Sequence, residues 1–129
     1  MIRNLIVPAL LAAGLAACQS GGGAAPDPNA PASNEAHSLA RKVGQTIARC
    51  WFAPGETAFA GYIYSPEPNA VTPRVLIVPK VQPAERPVLV IEARGATTLD
   101  TYGPLLGTPN ATRIRADLDR WSKGSDSCS

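Results

Sequence analysis

From residue 35 onward, apolar positions fall into clear periods. Leu39, Val43, Ile47, Cys50 and Trp51 recur every three to four residues, while Arg41, Lys42, Gln45 and Arg49 take other directions. That spacing predicts an amphipathic helix over 35–51, capped by Asn34 and ended by Pro54-Gly55. Tyrosines and small residues then mark 59–64 as a strand, followed by a link punctuated by Pro66, Pro68, Asn69 and Pro73. Two runs with continuous apolar centres come next, 74–80 around Val75-Leu76-Ile77-Val78 and 88–94 around Val88-Leu89-Val90-Ile91. The short stretch 81–87 between them fits a hairpin connection, so the pair reads as antiparallel. A second helix begins near Thr108-Pro109, where a capping hydroxyl precedes proline at the first helical position, and runs to about Lys123 before Gly124. Ala111, Ile114, Leu118 and Trp121 form its buried stripe. On its outer face Arg113 with Asp117, Arg115 with Asp119, and Asp119 with Lys123 stand four residues apart, a solvated set of ion pairs each worth about 0.2–0.5 kcal/mol.

This order predicts an α+β domain, two helices packed on a small, mainly antiparallel three-stranded sheet in the sequence α-β-β-β-α. The two central strands are apolar on both faces, and two helices are all the chain offers as cover. Either the helices share one face and the other meets a partner or the tether described below, or some of these apolar residues are more exposed than usual.

The N-terminal region has a different character. Arg3 precedes an apolar run, 5–17, broken only by Pro8 and Gly14. This is a secretory h-region, shorter than the roughly 20 apolar residues that a membrane-spanning helix needs. It ends in Leu15-Ala16-Ala17-Cys18, which resembles the lipobox of bacterial lipoproteins. The resemblance implies that 1–17 is a leader removed before Cys18, that the Cys18 thiol takes a diacylglyceryl group and that the new amino group is acylated. Two or more acyl chains, each contributing about 0.8 kcal/mol per buried methylene, hold a protein stably on a bilayer where one chain does not. The alternative is an ordinary signal peptide ending in Ala-x-Ala, with Cys18 incidental. Residue 19 is Gln and not the Asp associated with inner-membrane retention, which favours the outer membrane, lipid-anchored, with the domain facing the periplasm; the inner membrane stays open. Residues 18–33, with Gly21-Gly22-Gly23 and Pro26, Pro28 and Pro31, form a flexible tether that spaces the domain roughly 20 Å from its anchor.

What remains, 34–129, is one periplasmic domain of a size near the lower end of what one core supports comfortably, so a covalent staple would matter. With Cys18 lipidated, Cys50 and Cys128 are left in an oxidising compartment, and even arithmetic favours a disulfide between them. Two free thiols, or an intermolecular bridge through Cys128 near the C-terminus, are the other options. Charge points to no polyanion: the chain has 12 Lys and Arg against 10 Asp and Glu, and losing Arg3 leaves 11 against 10 without a block of either sign. A nucleic-acid surface is therefore not expected.

Candidate chemistry is sparse. His37 is the single histidine and sits beside the tether, where an exposed, solvated role is expected. One histidine and two bonded cysteines make no zinc-like ligand set, so neither a metal nor a cofactor is expected. Ser65, Ser122 and Ser125 lack a Gly-x-Ser-x-Gly context, and 103–107 is no phosphate loop. Glu56, Glu92 and Asp100 are carboxylates that folding can bring together, as in nearly any domain.

The segment Ile47-Ala48-Arg49-Cys50-Trp51-Phe52-Ala53-Pro54 is similar to the end of the first helix in the TolA/TonB carboxy-terminal domain, where an Arg-Cys-Trp-x-x-Pro-like run precedes the first strand. The resemblance spans about twenty residues. It implies two helices on a three-stranded antiparallel sheet and binding to other envelope proteins, often by strand addition at a sheet edge. Here the third strand precedes the second helix, and Cys128 follows that helix, which departs from the pattern. Two functions follow as expectations. The first is a non-catalytic, membrane-anchored binding or assembly module that uses a sheet edge or a surface formed by Tyr62, Tyr64 and Tyr102 to hold another envelope protein. The second is a small enzyme acting on a cell-wall or lipid substrate.

Overall fold

The structure, a computed structural model, describes residues 30–83 and 86–129. The leader, Cys18 and most of the tether lie outside the described residues, and with them the expectation of lipidation.

The first helix, α1, spans Asn34–Cys50 and buries Leu39, Val43, Ile47 and Cys50 along one stripe, as their spacing requires. Its cap is Ser33 and not Asn34: the Ser33 hydroxyl accepts from the Ala36 amide at 3.2 Å. Trp51 follows the last turn, and its stacking on Phe59, 4.5 Å between ring centres, turns the chain toward the sheet.

Among the described residues the sheet has four strands, not three: β1 (Tyr62–Glu67), β2 (Arg74–Pro79), β3 (Leu89–Ala93) and β4 (Leu99–Tyr102). They form an antiparallel meander in the order β1-β2-β3-β4, so the α+β class holds and the α-β-β-β-α order does not. The missed strand has four residues, Leu-Asp-Thr-Tyr, with one aliphatic side chain and no apolar run. β1 begins three residues later than expected, because Phe59 serves the core from the preceding turn, and it continues through Pro66. The Lys80 amide donates to the Gly61 carbonyl at 2.9 Å, which fixes the ladder so that Ile63, Ser65 and Glu67 face β2. Tyr62, Tyr64 and Pro66 face the open edge, where proline's missing N–H costs nothing.

The pleat resolves the question of cover. Tyr64, Val75, Ile77, Leu89, Ile91, Ala93 and Leu99 lie on the helix side within one hydrophobic cluster that also takes in Ile114, Leu118 and Trp121. Ile63, Leu76, Val78, Val90 and Tyr102 alternate onto the other side, outside that cluster. The helices therefore share one face.

After β4, Gly103 has φ +137° and lets the chain pass close to β3, where the Leu105 amide donates to the Val88 carbonyl at 2.9 Å. Pro104–Gly107 forms a 3-10 turn, and the Thr108 hydroxyl bonds the Leu105 carbonyl at 2.7 Å instead of capping a helix. The second helix, α2, consequently starts late and covers Ala111–Ser122. The C-terminal tail returns to the end of α1 through a Cys50–Cys128 disulfide with sulfurs 2.00 Å apart. It is pinned further by Arg49, which bonds the Asp126 carbonyl, and by Trp121, whose indole donates to the Ser127 carbonyl at 2.8 Å.

Candidate functional site

A sheet of four strands has two edges, and they differ. On β1 the outward positions are Tyr62, Tyr64 and Pro66, and the Tyr62 amide is already bonded to the Phe59 carbonyl at 3.0 Å. With Pro66 offering no N–H, the Tyr64 amide is the one outward donor left without a partner among the described residues, a blunted edge.

The β4 edge is open. The Arg94 amide donates to the Thr98 carbonyl at 2.9 Å, which sets the ladder so that Asp100 and Tyr102 bond back to β3. Leu99 and Thr101 therefore turn both their N–H and C=O groups away from the sheet, and these groups have no hydrogen-bond partner among the described residues. Beside this edge runs a groove of about 320 Å³ between β4 and α2. Leu99 and Thr101 line one wall; Arg115, Leu118, Asp119 and Ser122, one stripe of α2 at helical spacing, line the other.

The electrostatics of that wall depart from the expected pattern. Asp119 is held by Lys123 at 2.8 Å and not by Arg115, so the anticipated Arg115–Asp119 pair does not form. Arg115 is exposed and has no ion pair among the described residues. Asp117 does not belong to a solvated face at all. Its carboxylate is buried, receives the Trp51 indole N–H at 2.7 Å and lies between Arg120 at 2.6 Å and Arg113 at 3.5 Å. Its spacing from Ile114 and Trp121 placed it on the inward side of the helix, a signal that four-residue charge pairing concealed.

On the sheet face opposite the helices Glu92 and Asp100 do meet, across the β3–β4 register, and Arg94 bonds both. Glu56 lies elsewhere, paired with Arg113 at 3.0 Å. That hydrogen bond is the chief cause raising the Arg113 pKa above its ordinary value, as Glu67 at 2.5 Å raises that of Arg74. The Tyr102 hydroxyl donates to Glu92 at 2.8 Å, which pushes the phenol above its usual range; burial adds to this. A guanidinium shared between two carboxylates makes an ion-pair net of this cluster.

The three tyrosines do not form one surface. Tyr62 and Tyr64 are half-buried against the core on the helix side of β1, and Tyr102 stands on the opposite face of β4, 50% exposed. His37 is not free in solvent either: its Nδ1 lies 2.7 Å from the Pro68 carbonyl, tying the start of α1 to the β1–β2 link. Other depressions lie among the described residues. One of about 350 Å³ runs between α1 and the C-terminal tail, past Lys42, Thr46, Arg49 and Asp126. Another, of about 230 Å³, is an apolar notch over Gly44, Ala48, Tyr64 and Pro66. Among the described residues no three or more of His, Cys, Asp and Glu come together as a metal site, and no helix is long and apolar enough to cross a membrane.

These features define an α+β domain with a four-stranded meander, helices on one face and an unpaired strand at one edge. No protein-family model, curated protein or solved structure matches the chain.

Proposed function

We propose that the protein is a membrane-anchored envelope lipoprotein that acts without catalysis, as a module that binds or helps assemble another envelope protein. The observation that carries this reading is the pair of residues on β4, Leu99 and Thr101, whose backbone groups are unpaired beside an open groove. An extended segment laid along that edge satisfies those groups and continues the sheet, the mode of recognition called strand addition. The lipobox-like Leu15-Ala16-Ala17-Cys18 and the tether that follows supply the anchor, toward the outer membrane by the Gln19 criterion. The similarity of 47–54 to the TolA/TonB carboxy-terminal domain points the same way.

The test has two arms. Cys18→Ala is expected to abolish acyl labelling and membrane fractionation; unchanged membrane association in that variant removes the anchor from the reading. A photoreactive residue at position 101, in intact envelopes, is expected to give protein adducts that a reactive residue at the exposed Val81 does not give. The adducts should disappear when Leu99 is replaced by proline, which deletes an edge N–H that the sheet itself does not use. Equal adducts at both positions, or adducts indifferent to Leu99→Pro, overturn binding at β4.

A further inference from the structure

We infer that the segment added to β4 comes from a different protein and carries an acidic side chain that meets Arg115. This inference rests on the strand-addition reading and goes on to state the chemistry of the partner. A strand paired to β4 points alternate side chains to the two faces of the extended sheet, so every second residue enters the groove against α2. The wall it meets there is Arg115, Leu118, Asp119 and Ser122.

Of these, Asp119 is neutralised by Lys123 and Leu118 is apolar, which leaves Arg115 to set the charge of the wall. The contrast with the other arginines is informative. Arg49, Arg74, Arg94, Arg113 and Arg120 each have a carboxylate within 4.0 Å, and Arg41 reaches the Asn69 amide; Arg86, exposed on the link between β2 and β3 and away from the groove, is like Arg115 in having no ion pair among the described residues. Arg115 has neither kind of partner among the described residues, although Asp119 is one helical turn away. A guanidinium free beside unpaired backbone groups is complementary to a carboxylate on the incoming strand.

A second copy of the chain fits this edge poorly. If two β4 strands paired antiparallel through their open groups, Leu99 of each would bond Thr101 of the other. That register sets Asp100 directly against Asp100, and although each is bonded to its own Arg94 at 2.9 Å, the two carboxylates gain no opposite charge from the partner strand. The edge therefore disfavours its own kind and favours a foreign strand.

The experiment uses the full chain in detergent micelles and three fluorescent ten-residue peptides of alternating Thr and Val, identical except for a central Asp, Asn or Lys. The Asp peptide is expected to bind about three- to tenfold more tightly than the Lys peptide. The gap should narrow as salt rises and reverse in Arg115→Glu. In every case of binding, hydrogen exchange at the Leu99 and Thr101 amides should slow. Equal affinities for the three peptides, with those amides protected, overturn the acidic preference and leave strand addition standing. Absence of protection with any peptide overturns both, and a concentration-dependent dimer that protects the same amides overturns the foreign partner.

Discussion

The indole N–H of Trp51 donates to the Asp117 carboxylate at 2.7 Å, joining the end of α1 to the middle of α2 inside the protein. Trp51 is fully buried and packs on Phe59 and Trp121, so its polar atom has nowhere else to turn. Asp117 also neutralises Arg113 and Arg120. Asp117→Ala therefore strands a buried donor and leaves Arg120 without its carboxylate, while Arg113 keeps Glu56, and is expected to cost about 3–5 kcal/mol. Asp119→Ala, on the same helix but in an exposed pair with Lys123, is expected to cost under about 1 kcal/mol. Urea unfolding of the two variants checks the contrast, and similar midpoints would sink it.

The disulfide closes a sequence separation of 78 residues, so its removal frees most of the domain in the unfolded state. Chain entropy puts the loss at about 4–5 kcal/mol, an upper figure because strain and residual structure subtract from it. A paired Cys50→Ala, Cys128→Ala variant is expected to unfold at lower urea with a steeper slope, because the unfolded chain without the cross-link is less compact. The unreduced domain should also show a mass two hydrogens below the reduced one. Two alkylatable thiols in the native protein would contradict the bond.

Gly103 is held at φ +137° with its backbone against β3. A Cβ there would strike the Val88 carbonyl oxygen and come within 2.9 Å of Leu89 Cα, both of them backbone and unable to swing aside. Gly103→Ala is expected to cost about 1–3 kcal/mol, while Gly107→Ala, where an added Cβ meets nothing, should change thermal stability little. A Gly103→Ala protein that melts with the wild type would remove the argument for close approach.

Much of the scaffold was legible because periodicity is local. Leu39, Val43 and Ile47 gave α1, and the runs around Val75 and Leu89 gave the central hairpin. The cysteine count gave the staple. What escaped notice depends on long-range partners. β4 exists because Asp100 and Tyr102 can bond back to β3 in register, and a four-residue strand with one aliphatic side chain carries no pattern of its own. Asp117 looked solvated because its true donor, Trp51, is 66 residues away. The two edges could not be told apart from sequence, since that difference rests on which residues of each ladder face outward. The tyrosines illustrate the same limit: Tyr62 and Tyr102 end on opposite faces of strands at opposite edges.

Tyr102 makes a pH-dependent contribution whose sign can be worked out. Its hydroxyl donates to Glu92, and only the protonated phenol can do so. The hydrogen bond chiefly, and burial next, raise the folded-state pKa above the ordinary value, while Arg74 and Arg94 pull it back. A raised pKa means that the folded state holds the proton more tightly than the unfolded chain. The stabilisation is then whole below about pH 10, where both states are protonated, and is lost as pH rises through the folded value. Tyr102→Phe is expected to be less stable than wild type at neutral pH, and the difference should shrink above about pH 10. Followed by ultraviolet absorbance, the tyrosine component that this variant loses should be one that ionises above the ordinary tyrosine range. A missing component that instead ionises in the ordinary tyrosine range would show that the phenol does not hold Glu92 in solution.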